Sequence, residues 1–337
     1  MNWIAALAAT LLAAAPAALA APAAPAAPGA PGASPPAASP DLPPDPPHRC
    51  EDCDDWNRPH APFRLFGSAY FVGTQGLSAV LITGDAGHVL LDGGLPQSAP
   101  LIRDNIRKLG FRLQDVKVIA TSHGHFDHVG GVAALQRWSG AEVVASRSTA
   151  QALQRGENTP DDPQFAFGPG QNAFPKVARV RTVADGETVR LGGIALVAHD
   201  TSGHTPGSTT WTWRSCEGTT CRSLVYADSL NAVSAPGFRF TGAGPAAPSR
   251  VESFRRSIDK VAALPCELIV SVHPDLTRLD EKLKQRTERA AAGSGAAADP
   301  FLDPQGCRAY AAEARRRLEA RITEEVKPGP QATPARP

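Results

Sequence analysis

The chain has 337 residues, with 34 Lys and Arg against 33 Asp and Glu, and a formal net charge of +1. That balance, with no basic stripe and no interleaving of aromatic and basic residues, sets nucleic acid aside as a partner. Beyond the first twenty positions, no apolar run approaches the roughly 20 residues needed to cross a membrane.

In chain order, residues 1–20 read as an export signal. An apolar core runs from Ile4 to Ala15, too short to span a bilayer, and Ala18-Leu19-Ala20 supplies the small-x-small pattern that precedes cleavage. No Lys or Arg precedes the core, and a retained membrane anchor is the competing reading. Residues 21–48 are almost entirely Ala, Pro, Gly and Ser, a composition that cannot form a packed core and favours extended chain. They are expected to be a spacer, and residues 327–337, of similar composition, a disordered tail. Residues 49–326 between them are long enough for one large domain.

Within that domain, strand signals fall at 63–72, 77–82 and 88–92, the last two joined by Gly84-Asp85-Ala86-Gly87. Pro100 at a first helical position starts a helix over 101–109, closed by Gly110. A β-branched strand at 116–121 precedes a helix over 129–138, a strand at 142–146 and a helix near Ala150. Residues 159–176 form a loop rich in Pro, Gly and Asn, with Phe165, Phe167 and Phe174 interspersed. Strands at 180–183, 188–198, 208–213 and 223–226 follow. The last third holds a helix over 251–264 with apolar period at Phe254, Ile258, Val261 and Ala262, a short strand at 268–272, and amphipathic helices over 279–292 and 308–322. Strands in both halves with helices interspersed predict an α/β fold of two packed sheets covered by helices.

The six cysteines fall as Cys50/Cys53, Cys216/Cys221 and Cys266/Cys307, and an even count in an exported chain points to disulfides. Cys216 and Cys221 flank a Glu-Gly-Thr-Thr turn, and Cys266–Cys307 would tie a late strand to the C-terminal helix. Cys50 and Cys53 enclose a very small ring. A cysteine-rich metal site is the rival reading.

Chemistry concentrates in Ser122-His123-Gly124-His125-Phe126-Asp127-His128. Three imidazoles and a carboxylate so close together cannot all reach one ion from the separated directions of a tetrahedral shell. Two ions fit better. His123 and His125 can converge on one, with His204 of Gly203-His204-Thr205-Pro206-Gly207 as third ligand. Asp127 and His128 can hold the other with His273. Three protein ligands per ion leave open positions, as in catalytic zinc, and the donor types suit Zn²⁺, with iron and manganese also compatible. The expected product is a dinuclear zinc hydrolase. His48, His60 and His88 are read as solvated side chains, and His199 as structural.

The run His123-x-His125-x-Asp127-His128 resembles the signature of the metallo-β-lactamase superfamily. The likeness extends to subclass B3 through Trp56-Asn57-Arg58-Pro59-His60-Ala61-Pro62, Leu90-Leu91-Asp92-Gly93-Gly94, Gly203-His204-Thr205-Pro206-Gly207-Ser208-Thr209 and Tyr226-Ala227-Asp228-Ser229-Leu230. Ser234-Ala235-Pro236-Gly237 and Ala263-Leu264-Pro265-Cys266 continue it. The resemblance implies a single-domain αββα sandwich with two Zn²⁺ between the sheet edges, one on His123, His125 and His204, the other on Asp127, His128 and His273. It implies hydrolysis of the β-lactam amide of penicillins, cephalosporins and carbapenems by a zinc-bound hydroxide that Asp127 orients, conferring antibiotic resistance.

Ser229 stands where another subclass places a cysteine ligand, and its hydroxyl would bond a metal-bound water. Ser229, with Asn231 or Ser234, would grip the substrate carboxylate by hydrogen bonds. Phe165 and Phe167 are read either as an apolar wall over the substrate or as ordinary loop packing. The Cys216–Cys221 and Cys266–Cys307 pairs resemble bridges of B3 enzymes, whereas Cys50–Cys53 matches none. The partner would be a small-molecule β-lactam, with no membrane association after signal cleavage, and the enzyme would be a periplasmic or secreted monomer. The alternatives are a glyoxalase II-like thioesterase or lactonase, in which an aspartate such as Asp228 bridges the metals, and an exported zinc-binding protein without catalysis.

Overall fold

Burial with a period of two divides nearly every strand between two layers. In the computed structural model, which describes residues 42–244, 247–292 and 299–327, Val118 and Ala120 face one core while Ile119 between them faces another. Leu224 and Tyr226 likewise face inward, and Val225 and Ala227 outward. Side chains of successive strand residues point to opposite faces, so each sheet must be covered on both sides. The result is an αββα sandwich.

The first sheet has seven strands in sequence order: β1 (Phe63–Phe66), β2 (Ala69–Phe71), β3 (Val80–Ile82), β4 (His88–Leu91), β5 (Val116–Ala120), β6 (Glu142–Ser146) and β7 (Arg181–Val183). Pairing is antiparallel from β1 to β4 and parallel from β4 to β7. The second sheet runs in the order β12-β11-β10-β9-β8, from β8 (Thr188–Leu191), β9 (Ile194–Asp200), β10 (Thr209–Glu217), β11 (Thr220–Ala227) and β12 (Leu268–Ser271). It is antiparallel except for the parallel pair β11–β12.

Phe71, Val80, Leu91, Trp211 and Tyr226 fill the space between the sheets. Ile102, Ile106, Leu135 and Trp138, from the helices Ser98–Lys108 and Val132–Ser139, cover the outer face of the first sheet. Phe254, Ile258, Tyr310 and Leu318, from Val251–Ala263 and Gly306–Val326, cover the second.

Several expected elements divide at glycines. The strand expected over 63–72 is a hairpin turning at Gly67-Ser68. Gly67 has φ +53, and a Cβ there would meet the Cys216 carbonyl oxygen at 2.6 Å. The helix expected over 129–138 is two, Phe126–Val129 and Val132–Ser139, separated by Gly130-Gly131. A Cβ on Gly131 would lie 2.3 Å from the Gly93 carbonyl oxygen, so only paired glycines let these two backbones interlock. The strand over 188–198 breaks at Gly192-Gly193 into β8 and β9. The first long helix begins at Ser98, which puts Pro100 at its third position, still within the turn whose N–H groups lack helical partners.

The expected spacer also needs correction at its end. Residues 1–41, and with them the export signal, lie outside the described residues, as do 328–337 of the tail. From Leu42, however, the chain is docked on the domain. The Leu42 carbonyl accepts from Trp138 Nε1 at 2.7 Å, Asp45 pairs with Arg137 at 2.9 Å, and His48 exchanges two backbone bonds with the Gln97 side chain. Polar side chains of the domain capture a segment whose own composition offers little to pack. No helix among the described residues is long and apolar enough to cross a membrane.

Candidate metal centre

Strand ends bring the histidine run to its partners. The C-terminal ends of parallel β4 and β5 open at one edge of the sandwich, where the chain leaves regular pairing and side chains can converge. β4 is followed by Asp92, a buried residue with φ 58. Its carboxylate accepts from Ser122 N and Ser122 Oγ, both at 2.7 Å, and from the Tyr226 hydroxyl at 2.9 Å. Burial pushes this carboxyl up to about 7 against those bonds. Asp92 thereby anchors the residue that immediately precedes the run. His204 arrives on the loop between β9 and β10, where Thr209 N bonds the Ser122 carbonyl at 2.8 Å, and His273 follows β12.

Each of four imidazoles has one nitrogen held from behind. His123 Nδ1 lies 2.6 Å from Asp228 Oδ1, His125 Nε2 3.0 Å from Asp162 Oδ2, His204 Nδ1 2.8 Å from the Asn231 carbonyl, and His273 Nδ1 3.1 Å from the Gly76 carbonyl. Such outer partners fix tautomer and ring orientation, leaving the other nitrogen free to ligate. The free donors converge. One ligand atom from each of His123, His125 and His204 lies within 4.8 Å of the others, and the same holds for His123, Asp127 and His128. His273 joins the second group through Asp127, whose Oδ2 lies 3.1 Å from His128 Nε2 and 3.4 Å from His273 Nε2.

These residues fit a bound metal. His123 Nε2 and His128 Nδ1 are buried without a hydrogen-bond partner, which is costly unless something else satisfies them. Burial holds His123 and His128 below the ordinary histidine value and His204 down to about 3, so these rings are neutral, the form that ligates. Burial also opposes charge on His125 and His273, but Asp162 and Asp127 respectively outweigh it and raise both above 6.5.

One proton-competing histidine therefore stands in each expected ligand set. Metal affinity is expected to hold steady well above those raised values and to fall about tenfold per pH unit for each ion below them. Zinc competition titrations from pH 8 to 5 check this, and affinity independent of pH across that range would contradict it.

A cleft of about 640 Å³ opens over the centre. His125, Asp127, His204 and His273 line it, together with Ser229 and Asn231. Two residues expected at the substrate do not line it. Ser234 is outside the cleft lining, and its Oγ accepts from Arg321 Nη2 at 2.7 Å. Phe165 is outside it too, and Phe167, two residues on in the same 3₁₀ turn, takes the place at the wall. Gln164, Gln171 and Val233 are lining residues the sequence did not single out, and Trp56, at the head of a B3-like motif, lines the cleft too.

Asp162 was also missed. It is 6% exposed beside an exposed Asp161, and nothing in Pro160-Asp161-Asp162-Pro163 separates one carboxylate from the other. Asp228 sits behind His123 as its hydrogen-bond partner. The remaining histidines are packed rather than solvated: His48 stacks on Phe126, His60 sits edge-on to Phe71 and bonds Asp280, and His88 sits edge-on to Phe111. His199 bonds Thr212 Oγ1 within the second sheet. The cysteines pair as Cys50–Cys53, Cys216–Cys221 and Cys266–Cys307.

The family model described as "Metallo-beta-lactamase superfamily" matches residues 72–273, which include all six expected ligands. Among solved structures, the Rm3 metallo-beta-lactamase is 49% identical, covering 82% of this chain and 99% of that one, with a TM-score of 0.76. MEM-A1, a subclass B3 metallo-beta-lactamase from a soil metagenome library, is 47% identical over 80% of this chain and 98% of its own, with a TM-score of 0.74.

The chain belongs to the metallo-beta-lactamase superfamily, in its subclass B3.

Likeness to curated proteins is more distant. Ribonuclease TTHA0252 of Thermus thermophilus is 33% identical over 158 residues, 45% of this chain, and the chain spans only 35% of that protein's length. Hydroxyacylglutathione hydrolase of Rhodopseudomonas palustris is 28% identical over 59% of this chain and 68% of its own. The superfamily thus holds several chemistries on one metal-binding fold, and the surroundings of the ligands have to separate them.

Proposed function

We propose that this chain is an exported dizinc β-lactamase that hydrolyses the amide of penicillins, cephalosporins and carbapenems and so protects the cell that secretes it. One observation carries the reading: two convergent ligand sets at the foot of an open cleft, in a chain that matches B3 metallo-beta-lactamases over nearly their whole length. His123, His125 and His204 would hold one zinc, and Asp127, His128 and His273 the other. Zinc in such sites supplies Lewis acidity and a water acidic enough to serve as nucleophile near neutral pH.

The protein's own groups do the rest. Asp127 borders the cleft, and its carboxylate would accept the proton of the attacking water and aim its lone pair at the lactam carbonyl. Burial opposes its charge, but His128 and His273 outweigh that and hold its pKa well below the usual carboxylate range, so it stays ionised in the working pH range. Ser229 lines the cleft and would donate to the carboxylate of the substrate, and Asn231, which also carries the carbonyl that fixes His204, borders the same floor. Phe167, Trp56 and Val233 give the β-lactam's side arm apolar contact and displace water from the reacting bond.

A thioesterase or lactonase of the same fold is the second reading. It would want Asp228 between the metals, and the 2.6 Å bond from Asp228 to the rear nitrogen of His123 supports an orienting role instead. Zinc-loaded protein assayed on a carbapenem, a cephalosporin, a glutathione thioester and a homoserine lactone separates the readings. β-Lactam turnover that a chelator abolishes and zinc restores is expected. Thioester turnover without β-lactam turnover would overturn the proposal.

A further inference from the structure

The segment preceding the family match is built into the second ligand set. Residues 42–58 lie N-terminal to position 72, where that match begins. Cys53, 1% exposed, forms a small apolar cluster with Leu77 and Leu95, and Cys50, Trp56 and Phe126 pack against it. Phe126 is the residue between His125 and Asp127, and the His48 ring stacks on it with centroids 4.2 Å apart. Trp56 reaches the other end of the set. Its carbonyl accepts from Gly76 N at 3.0 Å, and the Gly76 carbonyl in turn takes His273 Nδ1 at 3.1 Å. The Trp56 ring itself lies 5.4 Å from that of His273. A Cβ on Gly76 would come within 2.5 Å of the Trp56 ring, so the two are in close contact.

We propose that the segment Leu42–Trp56, stapled by Cys50–Cys53, positions the second metal site, and that this disulfide sets the affinity of that site but not of the first. The bridge ties residue 50, two positions after the ring stacked on Phe126, to the helix Cys53–Trp56 that delivers Trp56 to Gly76. It therefore fixes Gly76 relative to Phe126, which opens the helix Phe126–Val129 that carries Asp127 and His128, with His125 at the cap position before it. The first set has different supports: Asp228, Asp162 and the Asn231 carbonyl. None of them belongs to the 42–58 segment. Cys50, Cys53 and His48 are positioning residues, because none of them reaches a ligand atom. This inference rests on the assignment of Asp127, His128 and His273 to a second ion.

Stepwise Zn²⁺ titration against a competing chromophoric chelator tests it. The step lost in His273→Ala identifies the second site. In a Cys50→Ser/Cys53→Ser double variant, that step is expected to weaken about tenfold or more, the range found for outer supports of metal ligands, with the other step within twofold. The control Cys216→Ser/Cys221→Ser, at the far end of the β10–β11 hairpin, should leave both steps in place. Equal weakening of both steps, or of neither, would overturn the proposal. If the double variant does not fold, Trp56→Ala and Trp56→Phe decide. Loss of the second step in Ala with rescue in Phe supports the proposal, and identical behaviour of the two refutes it. A wild-type protein that takes up a single zinc would instead refute the two-ion assignment itself, so the two failures are distinguishable without any β-lactam assay.

Discussion

Asp127→Asn is expected to lower kcat/KM for a carbapenem by about a thousandfold, the loss typical of removing a group that acts on the reacting atoms. Asparagine keeps the size of the side chain and one oxygen acceptor but loses the charge. That charge faces His128 Nε2 at 3.1 Å and His273 Nε2 at 3.4 Å, in a residue only 7% exposed. The second zinc should therefore weaken together with turnover. Excess zinc should restore occupancy but not rate, because the lost proton acceptor is not replaced. Steady-state kinetics at saturating zinc, with metal content measured on the same samples, reads both effects. Full activity with two bound zincs would remove Asp127 from the mechanism.

Trp211→Ala is expected to destabilise the domain by about 3–5 kcal/mol. Trp211 is completely buried between the sheets, opposite Tyr226 in the β10–β11 register. Truncation leaves a cavity that two apposed sheets cannot close. Its Nε1 also donates to the Thr121 carbonyl at 3.0 Å, one residue before Ser122, so the same side chain joins the core to the start of the histidine run. Trp211→Phe keeps most of the packing and loses only that bond, at a cost of about 1–3 kcal/mol for the carbonyl left unsatisfied. Denaturant unfolding of both variants distinguishes the contributions. Equal losses in the two would mean that packing at this position is not what stabilises the sandwich.

What could be read from the residues alone follows from how far each signal reaches. His123, His125, Asp127 and His128 sit on one tight loop, so local spacing was enough to bring them together. His204 and His273 were legible because each follows a strand in a Gly- or Pro-flanked loop. The layers were legible from alternation in β5 and β11. Element ends were less so, because Gly67, Gly130-Gly131 and Gly192-Gly193 act through close approach to chain far away in sequence, as the Gly131–Gly93 contact illustrates.

Supports for the ligands were the least visible. Asp162 and Asp161 are neighbours of the same type, and only the fold decides which one turns toward His125. His48 reads as a spacer residue until Gln97 and Phe126 are placed beside it. Ser234 matched a family pattern, yet Arg321 from the C-terminal helix holds its hydroxyl away from the cleft, a contact 87 residues distant in sequence. Phe165 and Phe167 are indistinguishable by composition, and the 3₁₀ turn alone sends the second of them to the wall.

Anomalous diffraction at the zinc edge from zinc-loaded crystals tests the dinuclear assignment most directly. Two peaks are expected, one ringed by His123, His125 and His204 and the other by Asp127, His128 and His273, with Asp228 behind His123 and touching neither. A single peak, or an Asp228 carboxylate bridging two, would contradict it.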